Sequence, residues 1–245
     1  MSYAFYIAFG VLPSIIWLVY YLKKDRHPES NRMIIIVFLL GMLSAPLAAL
    51  FECLPTGFGQ TGLECFSFSF FSKNFPAPWD YLLFTIFAIA LVEELAKYLV
   101  VRIKVMKNSA LDEPTDIMLY MIIAGLGFAA LENILYLYRP DGFLLDQVIG
   151  VSLFRFFSAV FLHALTSATL GYFLARSLYE TKRRTRLFLL GLGIAVFSHA
   201  LYNFSVMEIE GSLKFLIPVA ILSSLAVFVS YGFKKLRKRN GMCKI

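Results

Sequence analysis

Continuously apolar runs of about 20 residues recur along this 245-residue chain, and they constrain its fold more than any other feature. A run of this length can cross the hydrocarbon core of a bilayer as one helix. Hydrophobic residues make up 59% of the chain and charged residues only 16%, a balance unlike that of soluble globular domains. The runs do not alternate apolar and polar positions, as the strands of a membrane β-barrel would. We therefore predict an all-α, polytopic membrane protein.

Hydropathy predicts seven transmembrane helices in a single integral membrane domain that occupies residues 1–245. Their approximate boundaries are 3–22, 33–51, 79–101, 116–138, 149–176, 187–206 and 213–233. The stretch 149–176 is long for a single span, so we expect it to be tilted or to extend into the membrane interface.

Loops rich in basic residues alternate with loops that are poor in them. There are four lysines and arginines in 23–32, three in 102–115, five in 176–186 and six in 234–245. The segments between the helices on the other side, 52–78, 139–148 and 207–212, hold one, one and none. The positive-inside rule then places the N-terminus outside, the C-terminus in the cytoplasm and 52–78 in an extracytoplasmic loop. We expect a multi-pass protein of the plasma membrane.

This topology also explains the net charge of +7. The cytoplasmic ends of the helices would contact anionic lipid head groups, so the charge does not indicate a nucleic acid partner. Cys53 and Cys65 both fall in the extracytoplasmic loop, where a disulfide bond is permitted. Whether the two cysteines pair is left open.

Ionisable side chains lie inside four of the predicted helices, although burying such groups in lipid is costly. In the third helix, Glu93 and Glu94 lie four and three residues before Lys97, so all three share one side. One lysine neutralises one carboxylate and leaves the other in excess. A carboxylate in a low dielectric can accept a proton from water, as a general base must. The alternative is a structural salt bridge between helices.

The next three helices add polar groups in equally apolar surroundings: Glu132 one turn after Phe128, His163 two turns after Arg155, and His199 one turn before Asn203. Taken singly, the glutamate or a histidine could be an ordinary structural hydrogen-bond partner. Carboxylates and imidazoles together on four helices favour a shared polar site, because these residue types activate water.

These motifs resemble those of the PrsW-type intramembrane proteases, which are related to the CAAX-endopeptidase and bacteriocin-processing membrane proteases. The matching patterns are Glu-Glu-x-x-Lys at 93–97, Asp-Glu-Pro-x-Asp at 112–116, Phe-x-x-x-Glu at 128–132, His-Ala-Leu-Thr at 163–166 and His-x-x-x-Asn at 199–203. The resemblance implies an endopeptidase that cuts a membrane-bound protein substrate, with its catalytic helices roughly within 79–206. Anti-sigma factors, cut during regulated proteolysis, are the best-known substrate class of the family; the substrate of this chain stays open.

Two mechanisms are compatible with these residues. In a metalloprotease, Glu132, His163 and His199 would bind zinc, and Glu93 or Glu94 would be the general base on the bound water. Without a metal, Glu93 or Glu94 would activate the water with help from Glu132 or His163. His199 and Asn203 would then donate hydrogen bonds to the developing oxyanion. Lys97, Phe128 and Arg155 are expected to support the site in both cases.

Two other classes of protein remain alternatives. Membrane-embedded charges also mark the proton relays of ion- or proton-coupled transporters, but we find no internal repeat and no interrupted helix in the sequence. A non-enzymatic scaffold could bind a partner helix through stripes of small residues. Such a scaffold would not need Glu94 or His199, so substitution of these residues distinguishes it from a protease.

Overall fold

The protein is described here by a computed structural model that covers residues 3–25, 27–52, 55–59, 62–106, 108, 111, 113–138 and 144–238. Its helices are α1 (Tyr3–Leu22), α2 (Asn31–Glu52), α3 (Phe66–Asn74), α4 (Trp79–Phe84), α5 (Leu91–Lys104), α6 (Pro114–Leu137), α7 (Leu145–Phe157), α8 (Ala159–Tyr179), α9 (Arg184–Glu208) and α10 (Leu213–Leu236). A π-helical segment, Thr85–Ala90, joins α4 to α5, and a 3₁₀ turn, Thr181–Arg183, precedes α9.

Most of the described chain is helical, and the predicted all-α membrane architecture is confirmed. Six stretches among the described residues are long and apolar enough to cross a membrane: Tyr3–Leu22, Asn31–Leu50, Pro114–Leu137, Leu145–Tyr179, Thr181–Glu208 and Leu213–Leu236. The remaining predicted span coincides with α4, the π-helical segment and α5. The total of seven spans and the orientation of the termini stay predictions.

The predicted extracytoplasmic loop contains a short antiparallel hairpin. Its strands are β1 (Pro55–Gly59) and β2 (Gly62–Cys65), and Phe58 pairs with Leu63. The question of a disulfide between Cys53 and Cys65 lies outside the described residues, because Cys53 is not among them and the side chain of Cys65 is not described.

The long fifth span is divided at Ser158, where the backbone leaves helical geometry with φ −116° and ψ −91°. An unbroken helix from Leu145 to Tyr179 would be about 52 Å long, well beyond the ~30 Å hydrocarbon core. The structure divides the run into two helices, α7 and α8, and the expected tilt or interfacial extension stays a prediction. The hydroxyl of Ser158 donates to the carbonyl oxygen of Phe154 at 2.7 Å and so satisfies one acceptor at the break.

Helix α6 is the centre of the bundle. Every residue from Pro114 to Ala130 is buried, and α6 packs against α1, α2 and α8. Small residues allow this close approach. A Cβ added to Gly127 would overlap the carbonyl oxygen of Phe38 on α2, and one added to Gly125 would overlap Oγ of Ser167 on α8.

Helix α5 turns its polar residues inward and its apolar residues outward. Glu93, Glu94 and Lys97 are buried, whereas Leu99 and Ile103 are 48% and 75% exposed. This distribution suits a helix in lipid, because the apolar side chains contact the acyl chains while the ionisable groups find partners inside the protein. The π-helical segment lies directly before α5, and interruptions of this kind are frequent at functional sites.

Candidate active site

Four helices bring the predicted ionisable residues into one cluster. Helix α5 supplies Glu93, Glu94 and Lys97, while α6, α8 and α9 supply one side chain each, namely Glu132, His163 and His199. The side chains of Glu94 and Lys97 are 0% exposed, whereas that of Glu132 is 35% exposed. The cluster is therefore enclosed by protein and is most open at Glu132.

Glu94 is held through one of its two carboxylate oxygens. Oε1 lies 2.9 Å from Nζ of Lys97, 3.0 Å from Oγ1 of Thr166 and 2.9 Å from Nδ1 of His199. Oε2 is buried and has no hydrogen-bond partner among the described residues. A buried polar atom without a partner needs an explanation, and at this position it leaves an acceptor for a water or a substrate group.

The imidazole of His163 has a defined hydrogen-bond partner at each nitrogen. Nζ of Lys97 lies 2.8 Å from Nδ1, and Oε2 of Glu132 lies 2.9 Å from Nε2. Because an ammonium group only donates, Nδ1 accepts and the ring proton resides on Nε2, which donates to the carboxylate. Helix α6 thus fixes the outer edge of the ring, while the Nδ1 lone pair points toward the interior of the cluster.

His199 has the opposite arrangement of ring nitrogens. Its Nδ1 lies 2.9 Å from Oε1 of Glu94 and donates to that oxygen, because an ionised carboxylate only accepts. Its Nε2 is left with the lone pair and lies 3.7 Å from Oε2 of Glu93. The two imidazole rings are 5.0 Å apart between centroids and nearly perpendicular. Both unprotonated nitrogens lie within 3.8 Å of Oε2 of Glu93.

Glu93 and the two imidazoles could hold a metal ion, since one ligand atom from each lies within 4.8 Å of the others. Oε2 of Glu93 is 3.8 Å from Nδ1 of His163 and 3.7 Å from Nε2 of His199. Ligands bound to zinc at ~2.0–2.1 Å in tetrahedral geometry are roughly 3.4 Å apart, so the two distances from Glu93 to the imidazoles are close to those of a zinc site.

The surroundings of these donors also fit a metal. A metal-binding histidine usually donates its second ring N–H to a carboxylate or carbonyl group. Here Glu132 takes that role for His163, and Glu94 takes it for His199. The ligand set predicted from the sequence differs in its carboxylate, which was Glu132; the structure groups Glu93 with the imidazoles instead.

Lys97 lies beside the same donors. Its ammonium group is within 3.3 Å of Glu93 Oε2, 2.9 Å of Glu94 Oε1 and 2.8 Å of His163 Nδ1. It is also 4.4 Å from the centroid of the Phe128 ring, a cation–π contact. An ion bound by His163 through Nδ1 would displace the ammonium group from that nitrogen.

Arg155 closes the cluster on the side of Glu132. Its Nη2 donates to Oε2 of Glu132 at 2.9 Å, and its Nε donates to Oδ1 of Asn133 at 2.5 Å. The guanidinium also lies 4.6 Å from the centroid of the Tyr136 ring. Glu132 therefore has two partners, Arg155 and His163, which suits an orienting role for its carboxylate.

The structure adds Thr166 to the cluster and leaves the role of Asn203 open. Thr166 was not among the predicted site residues, yet its hydroxyl donates to Glu94. Its position three residues after His163, on the same side of a helix, could have identified it from the sequence. Asn203 is half-buried, and its expected role as an oxyanion donor stays a prediction. It lies one turn beyond His199 on α9.

Comparison with known proteins identifies relatives over most of the chain. The family model described as PrsW family intramembrane metalloprotease matches residues 29–231. A protein named Protease PrsW from Oceanobacillus iheyensis is 28% identical over 228 residues, which cover 92% of this chain and 93% of that protein. Its namesake from Geobacillus kaustophilus is 29% identical and covers 83% of this chain and 80% of its own length. The Bacillus subtilis protein of that name is 26% identical, with 88% of each chain covered. No solved structure matches.

Proposed function

The chain belongs to the PrsW family of intramembrane metalloproteases, and from this premise we propose that Glu93, Glu94, His163 and His199 form its hydrolytic site. The protein is a multi-pass membrane protease. One observation carries the assignment of the site: both imidazoles are held by a carboxylate at one nitrogen and present the other nitrogen to Glu93. This arrangement prepares three donor atoms for one ion or one water molecule.

Glu93, His163 and His199 would hold zinc in the loaded enzyme. The ion, when bound, supplies Lewis acidity that lowers the pKa of a bound water to about 7. Glu132 and Glu94 would keep the two imidazoles in the tautomers that expose Nδ1 of His163 and Nε2 of His199. Lys97 would release Nδ1 of His163 and keep its contacts with Glu93 and Glu94.

Glu94 is the proposed general base. Its Oε1 is fixed by three donors, so the carboxylate cannot rotate freely, while Oε2 retains its full acceptor capacity. A base must lie within hydrogen-bond reach of the proton that it removes. Oε2 of Glu94 is buried without a partner among the described residues and is free for this contact. The amide group of Asn203 would donate to the oxyanion when a substrate carbonyl enters.

The metal-free mechanism remains a second candidate because Lys97 already places a positive charge among the donors. Its ammonium group contacts Glu93, Glu94 and His163 at 3.3, 2.9 and 2.8 Å. In that version a water would bind between Glu93 and the imidazoles, and Glu93 would accept its proton. The two mechanisms differ in which glutamate is the base and in whether the purified enzyme carries metal.

The substrate is proposed to be a membrane-bound protein whose scissile bond reaches the cluster from the side of Glu132. This carboxylate is 35% exposed, whereas Glu94 and Lys97 are fully enclosed. An anti-sigma factor in the plasma membrane is one such substrate. Anionic head groups at the cytoplasmic face would stabilise the orientation of the enzyme through its basic loops.

The test uses the purified full-length chain, reconstituted in vesicles with a membrane-spanning reporter protein. We expect cleavage by the wild type, loss of cleavage by Glu94→Gln and unchanged cleavage by Glu208→Gln, a matched substitution of an exposed glutamate. Elemental analysis beside chelation and zinc restoration separates the two mechanisms. Full cleavage by the folded Glu94→Gln protein would refute the assignment of the base, and full cleavage by a metal-stripped enzyme would refute the zinc mechanism.

A further inference from the structure

A groove on the membrane-facing surface lies apart from the hydrolytic cluster. It runs between α1, the junction of α7 with α8, and α10, and its volume is about 650 Å³. This volume is within the ~300–1,000 Å³ range of small-molecule sites. None of the hydrolytic residues lines it, so the proposed reaction does not account for the groove.

An aromatic wall forms the deep end of the groove. The ring of Trp17 stacks on that of Phe161 with a centroid distance of 4.3 Å and on that of Phe156 at 5.3 Å. Nε1 of Trp17 donates to the carbonyl oxygen of Phe156 at 2.9 Å, which fixes the indole in place. With its polar N–H satisfied, Trp17 presents only apolar surface to whatever occupies the groove.

Three basic residues form the other end of the groove: Lys24, Lys234 and Arg237. Nζ of Lys24 lies 4.8 Å from the Tyr20 ring centroid, and the guanidinium of Arg237 contacts the backbone carbonyl of Lys24. Among the described residues that line the groove, none is acidic. The charges at this end therefore have no counter-ion within the groove.

The depth of the groove matches one leaflet of a bilayer. From Ala226 to Lys234, helix α10 rises about 12 Å at ~1.5 Å per residue. Half of the ~30 Å hydrocarbon core is roughly 15 Å. In the predicted topology the basic end would lie at the level of the cytoplasmic head groups, and the aromatic wall would lie near the middle of the membrane.

We propose that this groove binds one anionic phospholipid. Its phosphate would lie among Lys24, Lys234 and Arg237, and one acyl chain would extend along Ala226 to Trp17. Basic pockets between transmembrane helices at the cytoplasmic side are a known mode of recognition for anionic head groups. A zwitterionic lipid such as phosphatidylcholine carries the same phosphate, but its quaternary ammonium group would add a further positive charge beside Lys24, Lys234 and Arg237.

The experiment measures lipid retained by the full chain in native mass spectrometry after incubation with phosphatidylglycerol or phosphatidylcholine. We expect at least tenfold preference for phosphatidylglycerol in the wild type and loss of that preference in Lys24→Gln/Lys234→Gln. The matched control is Lys235→Gln/Lys238→Gln, which removes the same charge from residues that do not line the groove and should keep the preference. Ala226→Trp, which fills the groove and leaves all charges in place, should also lose phosphatidylglycerol.

Several results would overturn the proposal. Equal retention of the two lipids by the wild type would show that the head-group charge is not recognised. Equal loss in the Lys24/Lys234 variant and in its control would indicate a diffuse surface effect. If the Lys24/Lys234 variant retains phosphatidylglycerol but captures less of a membrane-spanning substrate, the groove belongs to a protein segment and not to a lipid. Thermal unfolding of each variant verifies that it is folded.

Discussion

Nε2 of His163 lies 2.9 Å from Oε2 of Glu132, although the two residues are 31 positions apart and belong to different helices. The contact leaves the other nitrogen of His163 directed at Glu93 and Lys97. We infer from this contact that Glu132 positions the imidazole, whereas the sequence-based expectation is that it binds metal directly; both roles stay predictions. The two roles predict different consequences of substitution.

We expect Glu132→Gln to weaken zinc binding about 10–100-fold, as loss of an outer-shell partner typically does. The glutamine keeps the size of the side chain but removes the charge that accepts from His163. Zinc titration of the purified variant measures the change, and cleavage should recover at high zinc concentration. His163→Ala provides the comparison. Because it removes a proposed ligand, excess zinc should not restore cleavage. Unaltered zinc affinity in Glu132→Gln would contradict the positioning role.

Glu93→Gln should reduce reporter cleavage by at least about 100-fold, the lower end of a general-base or ligand contribution. Its Oε2 is the atom that faces both imidazoles at 3.7–3.8 Å, and an amide cannot replace a carboxylate there. Initial cleavage rates in vesicles measure the effect. Glu180→Gln, which changes a glutamate paired with Arg176 away from the cluster, should leave the rate unchanged. A rate near that of the wild type in Glu93→Gln would exclude this residue from the reaction.

Lys97→Met should lower the free energy of unfolding by about 3–5 kcal/mol, the usual cost of breaking a buried ion pair from one side. Lys97 is fully buried and contacts two carboxylates, which would both lose their cation. Adding Glu94→Gln to Lys97→Met should restore part of the stability, because it removes one uncompensated charge. Unfolding of the purified proteins in denaturing detergent measures both steps. An equal loss for the single and double variants would argue against charge as the cause.

Gly127→Ala should destabilise the bundle by about 1–3 kcal/mol, as overpacking of a tight interface does. The new methyl group would overlap the carbonyl oxygen of Phe38, which belongs to the backbone and has little freedom to move. Gly193→Ala is the matched control on α9, because a Cβ there meets no atom within 4 Å. The midpoint of thermal unfolding in detergent reports both. Similar midpoints for the two variants would mean that α2 and α6 are not in close contact.

The orientation predicted from the basic loops can be measured with single cysteines in a chain from which the native cysteines are removed. Ser30→Cys should react with a membrane-impermeant maleimide only after the cytoplasmic side is exposed, and Ser212→Cys should react in intact cells. The expected side of the membrane for each residue follows from the positive-inside distribution of lysine and arginine. The opposite labelling pattern would mean that the topology is inverted and that the basic end of the groove is at the outer face.

The amino-acid sequence was sufficient to predict the fold class and to identify the main polar side chains of the cluster. Apolar runs and basic loops are local properties, so hydropathy predicted the helices, including α6 and α9, without knowledge of their packing. An ionisable residue in such a run is unusual wherever its partner lies. The sequence therefore predicted a shared polar site that contains Glu94, His163 and His199.

Only the tertiary structure decided which groups meet. The spacing within one helix does not specify its rotation or depth relative to the next, and these depend on contacts such as Gly127 with Phe38. For that reason the sequence predicted Glu93 in the shared site but not as the carboxylate grouped with both imidazoles, and it did not predict that Thr166 donates to Glu94. The break at Ser158 escaped prediction for a related reason. Nothing in the apolar run marks it, and the packing of both α7 and α8 against α1 is a long-range contact that hydropathy does not specify.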